Sequence, residues 1–245
     1  MRALEFLERY VFIRKCVGCS ERLGYEHRND AFCSSCRVKF EMAKAKGCPL
    51  CSHSAVECDC MPKKMSKAGV LTLKKLTFYR ADRAFEPENR LLYFLKQNRN
   101  RRVERFAAQQ LSHRVYQLVR ESGEDIENFT FVYIPRSKRA VSRYGFDHSE
   151  LILRELEKIV SIPVLDVLVR RKRGREQKAL TSNKRRENAE RDIVLSGEVS
   201  VDAERSYILF DDIVTSGASM ARASELLHRA GVRRVYGLCI AYNAN

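Results

Sequence analysis

Asp211 and Asp212 stand between a short apolar run, Tyr207 to Phe210, and a stretch of small and hydroxyl-bearing residues, Thr215, Ser216, Gly217, Ala218 and Ser219. The pattern predicts a buried strand running up to the acids and a helix opening after them. In an open α/β sheet, side chains at the carboxyl end of a parallel strand project into the ligand crevice. Two carboxylates there can accept hydrogen bonds from sugar hydroxyls. Closely spaced backbone N–H groups at the helix N-terminus suit a phosphate, and Gly217 permits close backbone approach. A sugar phosphate satisfies both halves of the motif. A helix cap alone would need one acid and not the small-residue run that follows it.

Eight of the nine cysteines form the second chemical constellation: Cys16, Cys19, Cys33 and Cys36, then Cys48, Cys51, Cys58 and Cys60. Pairs two residues apart can each grip one metal ion through two thiolates, and two pairs complete the tetrahedral set that structural zinc prefers. Sequential grouping closes the shorter loops and is preferred over an interleaved one. The tighter Cys58-Asp59-Cys60 leaves the count at one or two zinc ions, with His53 or Asp59 able to stand in. A closed four-thiolate site has no open coordination position, so this module is structural or a binding surface and not a catalyst.

At 245 residues the chain can bury one full core and a small second module. The division read from composition is 1–62, an N-terminal helix with the cysteine module, and 63–245, the main domain. The formal charge of +15 favours a polyanionic partner, nucleic acid before phosphate-rich small ligands. Eight thiolates and two Zn²⁺ would lower that charge to about +11. Glu5, Glu8 and Arg9 interrupt the apolar positions of Met1 to Lys15, so that stretch does not read as a secretory signal. No apolar run approaches the ~18 residues of a membrane span. A cytoplasmic setting is expected, where clustered cysteines favour metal over disulfides.

The elements that must position these groups alternate. Strands are expected at Leu76 to Arg80, Phe129 to Pro135, Val164 to Val169, Tyr207 to Phe210 and Val235 to Ala241. Helices are expected from Pro87, through Val103 to Val119, at Ser149 to Val160, and from Ala218 to Ala230. Such alternation implies a parallel sheet covered by helices on both faces, an α/β fold, with Cys239 in its core. Met61 to Lys75, with Pro62, five lysines and Gly69, reads as a basic connector or the first edge of the next domain.

Two basic segments flank the acidic motif. Arg136, Ser137, Lys138 and Arg139 leave the Phe129 to Pro135 strand and would bring cationic and amide donors to a diphosphate. Arg170 to Arg191 carries ten Lys/Arg and reads as a loop leading into a short helix. Lys96, Arg99, Arg101, Arg102, Arg171, Lys172, Arg173 and Arg175 are the candidates for neutralising nucleic-acid phosphates. Tyr144, Phe146 and His148 lie among basic residues as candidate stacking platforms.

The acidic motif resembles the phosphoribosyl diphosphate (PRPP) motif of type I phosphoribosyltransferases. The whole series of cysteine knuckles, the helix leading to Lys96, I-P-R-S-K-R…R-Y-G-F-D-H, Q-K-A-L…R-R-E-N and I-L-F-D-D-I-V-T-S-G-A-S resembles, in order, the ComF family of competence and DNA-uptake proteins. That family includes the GntX-like members, and the resemblance covers nearly the whole chain. It implies a zinc finger followed by a type I phosphoribosyltransferase-like domain. It also implies PRPP, with Mg²⁺, at Asp211, Asp212 and Thr215 to Ser219 and at Arg136 to Arg139. The implied role is handling incoming single-stranded DNA during natural transformation. A further reading is a zinc-ribbon adaptor whose main partner is another protein of the uptake machinery, such as its helicase. The family's usual R-G-F-N-Q is here Tyr144-Gly145-Phe146-Asp147-His148. An alternative is an active phosphoribosyltransferase with an unknown acceptor. Thr215 stands where purine-using enzymes carry an acid, and a hydroxyl cannot act as a base there.

Overall fold

The computed structural model describes residues 13–171, 192–197 and 199–244. Met1 to Phe12, and with it the expected N-terminal helix, lies outside them, as does the segment from 172 to 191.

Four parallel strands form the central sheet: β1 (Val70–Phe78), β2 (Phe129–Tyr133), β5 (Ser206–Val214) and β6 (Arg234–Tyr242), in the order β1-β6-β5-β2. β2, β6 and the first part of β5 read as largely apolar runs because both faces are covered, while β1 carries the buried Lys74 and Lys75. Phe129, Phe131, Ile208, Phe210, Tyr236, Leu238 and Ile240 face one core. The alternating positions Val132, Tyr207, Leu209, Val235 and Cys239 face the other.

The first core is closed by α3 (Pro87–Gln97), α4 (Arg101–Ser122) and α6 (His148–Val160). Apolar side chains recur every three or four residues along α4, from Val103 through Ala107, Leu111 and Val115 to Leu118, and all are buried. Asn100 caps its start by accepting from the Val103 N–H, and the left-handed Gly123 ends it. The second core is closed by α2 (Lys63–Lys67), α7 (Ala218–Arg229) and a small antiparallel pair, β3 (Leu168–Arg170) with β4 (Ile193–Leu195).

Three expectations shift. The first strand begins at Val70, not Leu76, so the end of the lysine-rich connector is strand. The expected Val164 to Val169 strand reduces to a single bridge from Val164 to Phe131, followed by β3. β5 continues through the acids to Val214, with Asp211 paired to Cys239 and Ile213 to Ala241 of β6, so the acids lie within the last part of the ladder and not beyond its end.

The cysteine-bearing segment packs directly on this body. Cys16, Val17, Leu23, Phe32 and Cys36 belong to the same buried cluster as α4 and the sheet, together with Phe40 of α1 (Ser34–Ala45). Phe32, Phe40 and Phe106 meet with centroids 5.3–5.6 Å apart. No described helix is long and apolar enough to cross a membrane.

Candidate sugar-phosphate crevice and metal centres

Because β2 and β5 are parallel neighbours, the loop after β2 and the loop after β5 emerge at the same end of the sheet. Asp211 and Asp212 therefore share an edge with Pro135 to Arg139.

Asp212 is buried, and both its oxygens are engaged. Oδ2 accepts from His148 Nε2 and from Lys96 Nζ, each at 2.8 Å, while Oδ1 accepts from the Ile213 N–H at 2.8 Å. Burial alone would lift its carboxyl, but the His148 hydrogen bond and the Lys96 charge outweigh it and hold Asp212 well below the ordinary carboxylate range. Asp211 is partly exposed, and its Oδ1 accepts from the Asp212 N–H at 3.0 Å. Desolvation first, and the adjacent Asp212 charge second, push Asp211 well above its ordinary value. The two acids are thus shifted in opposite senses, Asp212 towards its ionised form and Asp211 towards its protonated one.

His148 arrives from α6, whose N-cap Asp147 accepts from the Ser149 N–H at 3.0 Å through Oδ1 and from the Arg136 N–H at 2.6 Å through Oδ2. Its imidazole is buried, and Nδ1 has no hydrogen-bond partner. By sequence His148 reads as a stacking candidate. Its role as donor to Asp212 is hidden by a separation of 64 residues, and the only signal is the departure from the amide of the usual family motif.

The basic candidates divide. Arg136 turns inward: its guanidinium donates to the Lys96 carbonyl at 2.8 Å and lies 4.6 Å over Tyr144 and 5.9 Å from the Phe146 ring centre. Ser137 caps α5 (Lys138–Tyr144) by accepting from the Ala140 N–H, while Lys138 and Arg139 are exposed. Arg101 pairs with Glu155 at 3.1 Å, and Arg102 donates to the carbonyls of Lys15 and Asp30 beside the first knuckle. Arg99 and Arg171 are exposed. Lys172, Arg173 and Arg175 lie outside the described residues.

At the other half of the motif, Thr215 and Ser216 are exposed, Ser219 is partly so, and α7 has Gly217 as its N-cap, with no side-chain capping bond. A helix N-terminus without a side-chain cap suits an anion. Gly217 has φ 71°, and a β-carbon there would lie 2.7 Å from Met65 Cγ and 2.9 Å from Pro62 Cγ. The close approach it permits is therefore, at least in part, by the chain entering α2.

Both cysteine sets converge in the sequential grouping. Cys16, Cys19, Cys33 and Cys36 bring their sulfurs within 4.8 Å of one another, as do Cys48, Cys51, Cys58 and Cys60. Cys19 and Cys33 sulfurs are 3.7 Å apart, close to the roughly 3.8 Å edge of a zinc tetrahedron with bonds of about 2.3 Å. N–H groups of Cys33, Leu50 and Cys60 point at the sulfurs of Cys16, Cys48 and Cys58. The donor sets fit two zinc ions. Asp59 is turned away, 2.8 Å from Lys74 Nζ, so the short Cys58-Asp59-Cys60 turn closes the second set with sulfur alone. Lys75 is fully buried and donates to the Cys58 and Cys60 carbonyls.

No protein-family model matches the chain. It is 30% identical over 102 residues to competence protein F of Haemophilus influenzae, covering 40% of this chain and 44% of that protein. It is 25% identical over 214 residues to competence protein ComFC of Streptococcus pneumoniae, covering 85% of this chain and 87% of that protein. The chain is thus similar to two competence proteins, spanning less than half of the Haemophilus one and most of the Streptococcus one. Among solved structures it is similar to the allosteric regulatory enzyme of purine biosynthesis, at 17% identity and a TM-score of 0.34, covering 56% of this chain and 26% of that one. It is also similar to a hypoxanthine phosphoribosyltransferase from Staphylococcus aureus, at 13% identity and a TM-score of 0.33, covering 55% and 62%.

Proposed function

We propose that this protein handles incoming single-stranded DNA in the cytoplasm during natural transformation, and that its sheet-end crevice holds PRPP or a related sugar phosphate. The observation that supports the crevice reading is the juxtaposition at one sheet edge of the acid pair, an uncapped helix N-terminus and the exposed cations Lys138 and Arg139. In this reading Asp211, the less engaged of the two acids, meets the ribose hydroxyls first. Asp212 joins them by yielding one of its present donors, and Thr215 to Ser219 take the 5′-phosphate. Arg136 supports the loop from within, while Ser137, Lys138 and Arg139 meet the diphosphate. Mg²⁺, when bound with PRPP, would neutralise the diphosphate charge. The two cysteine sets hold zinc structurally.

Calorimetry with PRPP and Mg²⁺ tests the crevice. Binding to the wild type and its loss in Asp211→Ala are expected; unchanged affinity in that variant would refute the assignment. Release of diphosphate on adding an acceptor would show that the pocket also turns over, which is the enzyme reading.

A further inference from the structure

The stretch from Arg80 to Glu86, between β1 and α3, carries a phenyl ring to which the sugar-phosphate site gives no role. Phe85 is 84% exposed, the most exposed large apolar side chain among the described residues. The loop presenting it is built. Asn89 is buried and donates to the Arg80 carbonyl at 2.7 Å and the Arg83 carbonyl at 2.8 Å, and the Glu86 N–H donates to the Arg83 carbonyl at 3.1 Å. The ring is thus held in water by a fixed turn.

Phe85 forms the ridge between two clefts. One, of about 650 Å³, is lined by Gly18, Lys39, Arg83 and Arg90 among others. The second, of about 460 Å³, is lined by Lys15, Arg90, Tyr93, Gln97 and Asn98 among others. Tyr93, 37% exposed, has its hydroxyl fixed by Tyr79 at 3.0 Å. The acids of this loop are already occupied, Asp82 by Arg80 at 3.1 Å and Glu86 by Arg83 at 3.6 Å. Among the described residues, no ion pair engages Lys15, Lys39 or Arg90, and Arg90 donates to Ser20 Oγ at 3.4 Å. A four-thiolate zinc site nearby would carry about −2, which Arg14, Lys15, Arg22 and Lys39 around the first knuckle exceed.

We propose that Phe85 and Tyr93, with Arg90 between the two clefts and Lys15 and Lys39 on their walls, form a base-stacking platform for single-stranded nucleic acid. The inference rests on the DNA-handling reading and places its contact surface on the first knuckle and α3. Of the stacking candidates suggested by the sequence, Tyr144 is covered by Arg136, Phe146 is half-buried with the Arg136 guanidinium 5.9 Å from its ring centre, and His148 is buried on Asp212. Phe85 and Tyr93 share the second cleft with Val17, Ala84 and Phe94, while Lys15 and Arg90 stand on its wall. Rings bordered by cations suit unpaired bases, every one of which offers a π-face, with the cations on the phosphates. A duplex hides its base faces and cannot use the ring.

The test uses a fluorescein-labelled oligothymidylate and the zinc-loaded full chain. Phe85→Ala should weaken binding roughly ten-fold without changing the salt slope, because a stacking contact but no phosphate contact is lost. Arg90→Gln should weaken binding and flatten the slope by about 0.7. The chain contains no tryptophan. Phe85→Trp therefore installs a sole indole reporter, whose emission should be quenched on binding the single strand and not on adding a duplex of the same length. If the wild type fails to bind at low salt, the DNA-handling reading falls and this proposal with it. If the wild type binds but Phe85→Ala and Tyr93→Ala retain full affinity, or the indole emission of the Phe85→Trp variant ignores the single strand, the platform alone is overturned.

Discussion

Asp211 and Asp212 differ in opposite senses from free carboxylates, which makes them separable by pH. Asp212 has a lowered folded value, so its contribution is present above the ordinary carboxylate range and is lost as pH falls through that range. Asp211 has a raised folded value, so its contribution is complete only below that range and is lost as pH rises towards the raised value. Asp212→Asn should therefore cost about 3 kcal/mol near neutral pH, the low end for a broken buried pair since Lys96 remains partly exposed. The deficit should shrink below about pH 4. Asp211→Asn should gain stability relative to wild type as pH rises from acid to neutral. Urea denaturation across pH measures both, and parallel pH profiles for the two variants would contradict the assignment. His148→Gln, which keeps a donor to Asp212, should stay within about 1 kcal/mol of wild type, whereas His148→Leu removes the hydrogen bond and should cost about 2 kcal/mol. The acid pair is legible in sequence because two adjacent carboxylates after an apolar run break the pattern of a buried strand. Its partners are not, because Lys96 and His148 reach it through the packing of α3 and α6, which no local spacing encodes.

At the scale of elements, the alternation of strands and helices can be read directly, because both sheet faces demand apolar residues and each helix carries its stripe every three or four positions. The exception falls on Lys74 and Lys75. Lysine is seldom buried, so by sequence the run to Lys75 reads as a basic connector or the first edge of the next domain and not as buried strand. In the fold both are buried strand residues of β1: Lys74 pairs with Asp59 and Glu121, at 2.8 and 2.6 Å, and Lys75 holds the two carbonyls of the Cys58-Asp59-Cys60 turn. The strand thus clamps the second cysteine set. Cys60→Ser should lower bound zinc from two to about one per chain by elemental analysis, while Asp59→Ala should leave two. Retention of two zinc ions in Cys60→Ser would mean that another group completes the site. Lys75→Met leaves two buried carbonyls without their donor and should cost about 2–4 kcal/mol in thermal or chemical denaturation.

For the molecule as a whole, the boundary suggested by composition at residue 62 does not coincide with a gap in the packing. Cys16, Val17, Phe32 and Cys36 share one buried cluster with Phe106, Leu111 and the sheet, and Arg102 reaches from α4 to the carbonyls around the first knuckle. Composition marks where the cysteines end and the lysines begin, but it carries no information about which apolar side chains meet. The consequence is cooperative. If zinc supplies folding free energy to the first knuckle, removing it exposes the face of α4 that the knuckle covers, and the sheet loses part of its support. Stripping zinc with a chelator should then lower the midpoint of a single thermal transition seen identically by far-ultraviolet circular dichroism and by the Phe85→Trp reporter. Two separate transitions, with the sheet melting unchanged after zinc removal, would instead show that the cysteine segment and the α/β body fold independently despite their shared core.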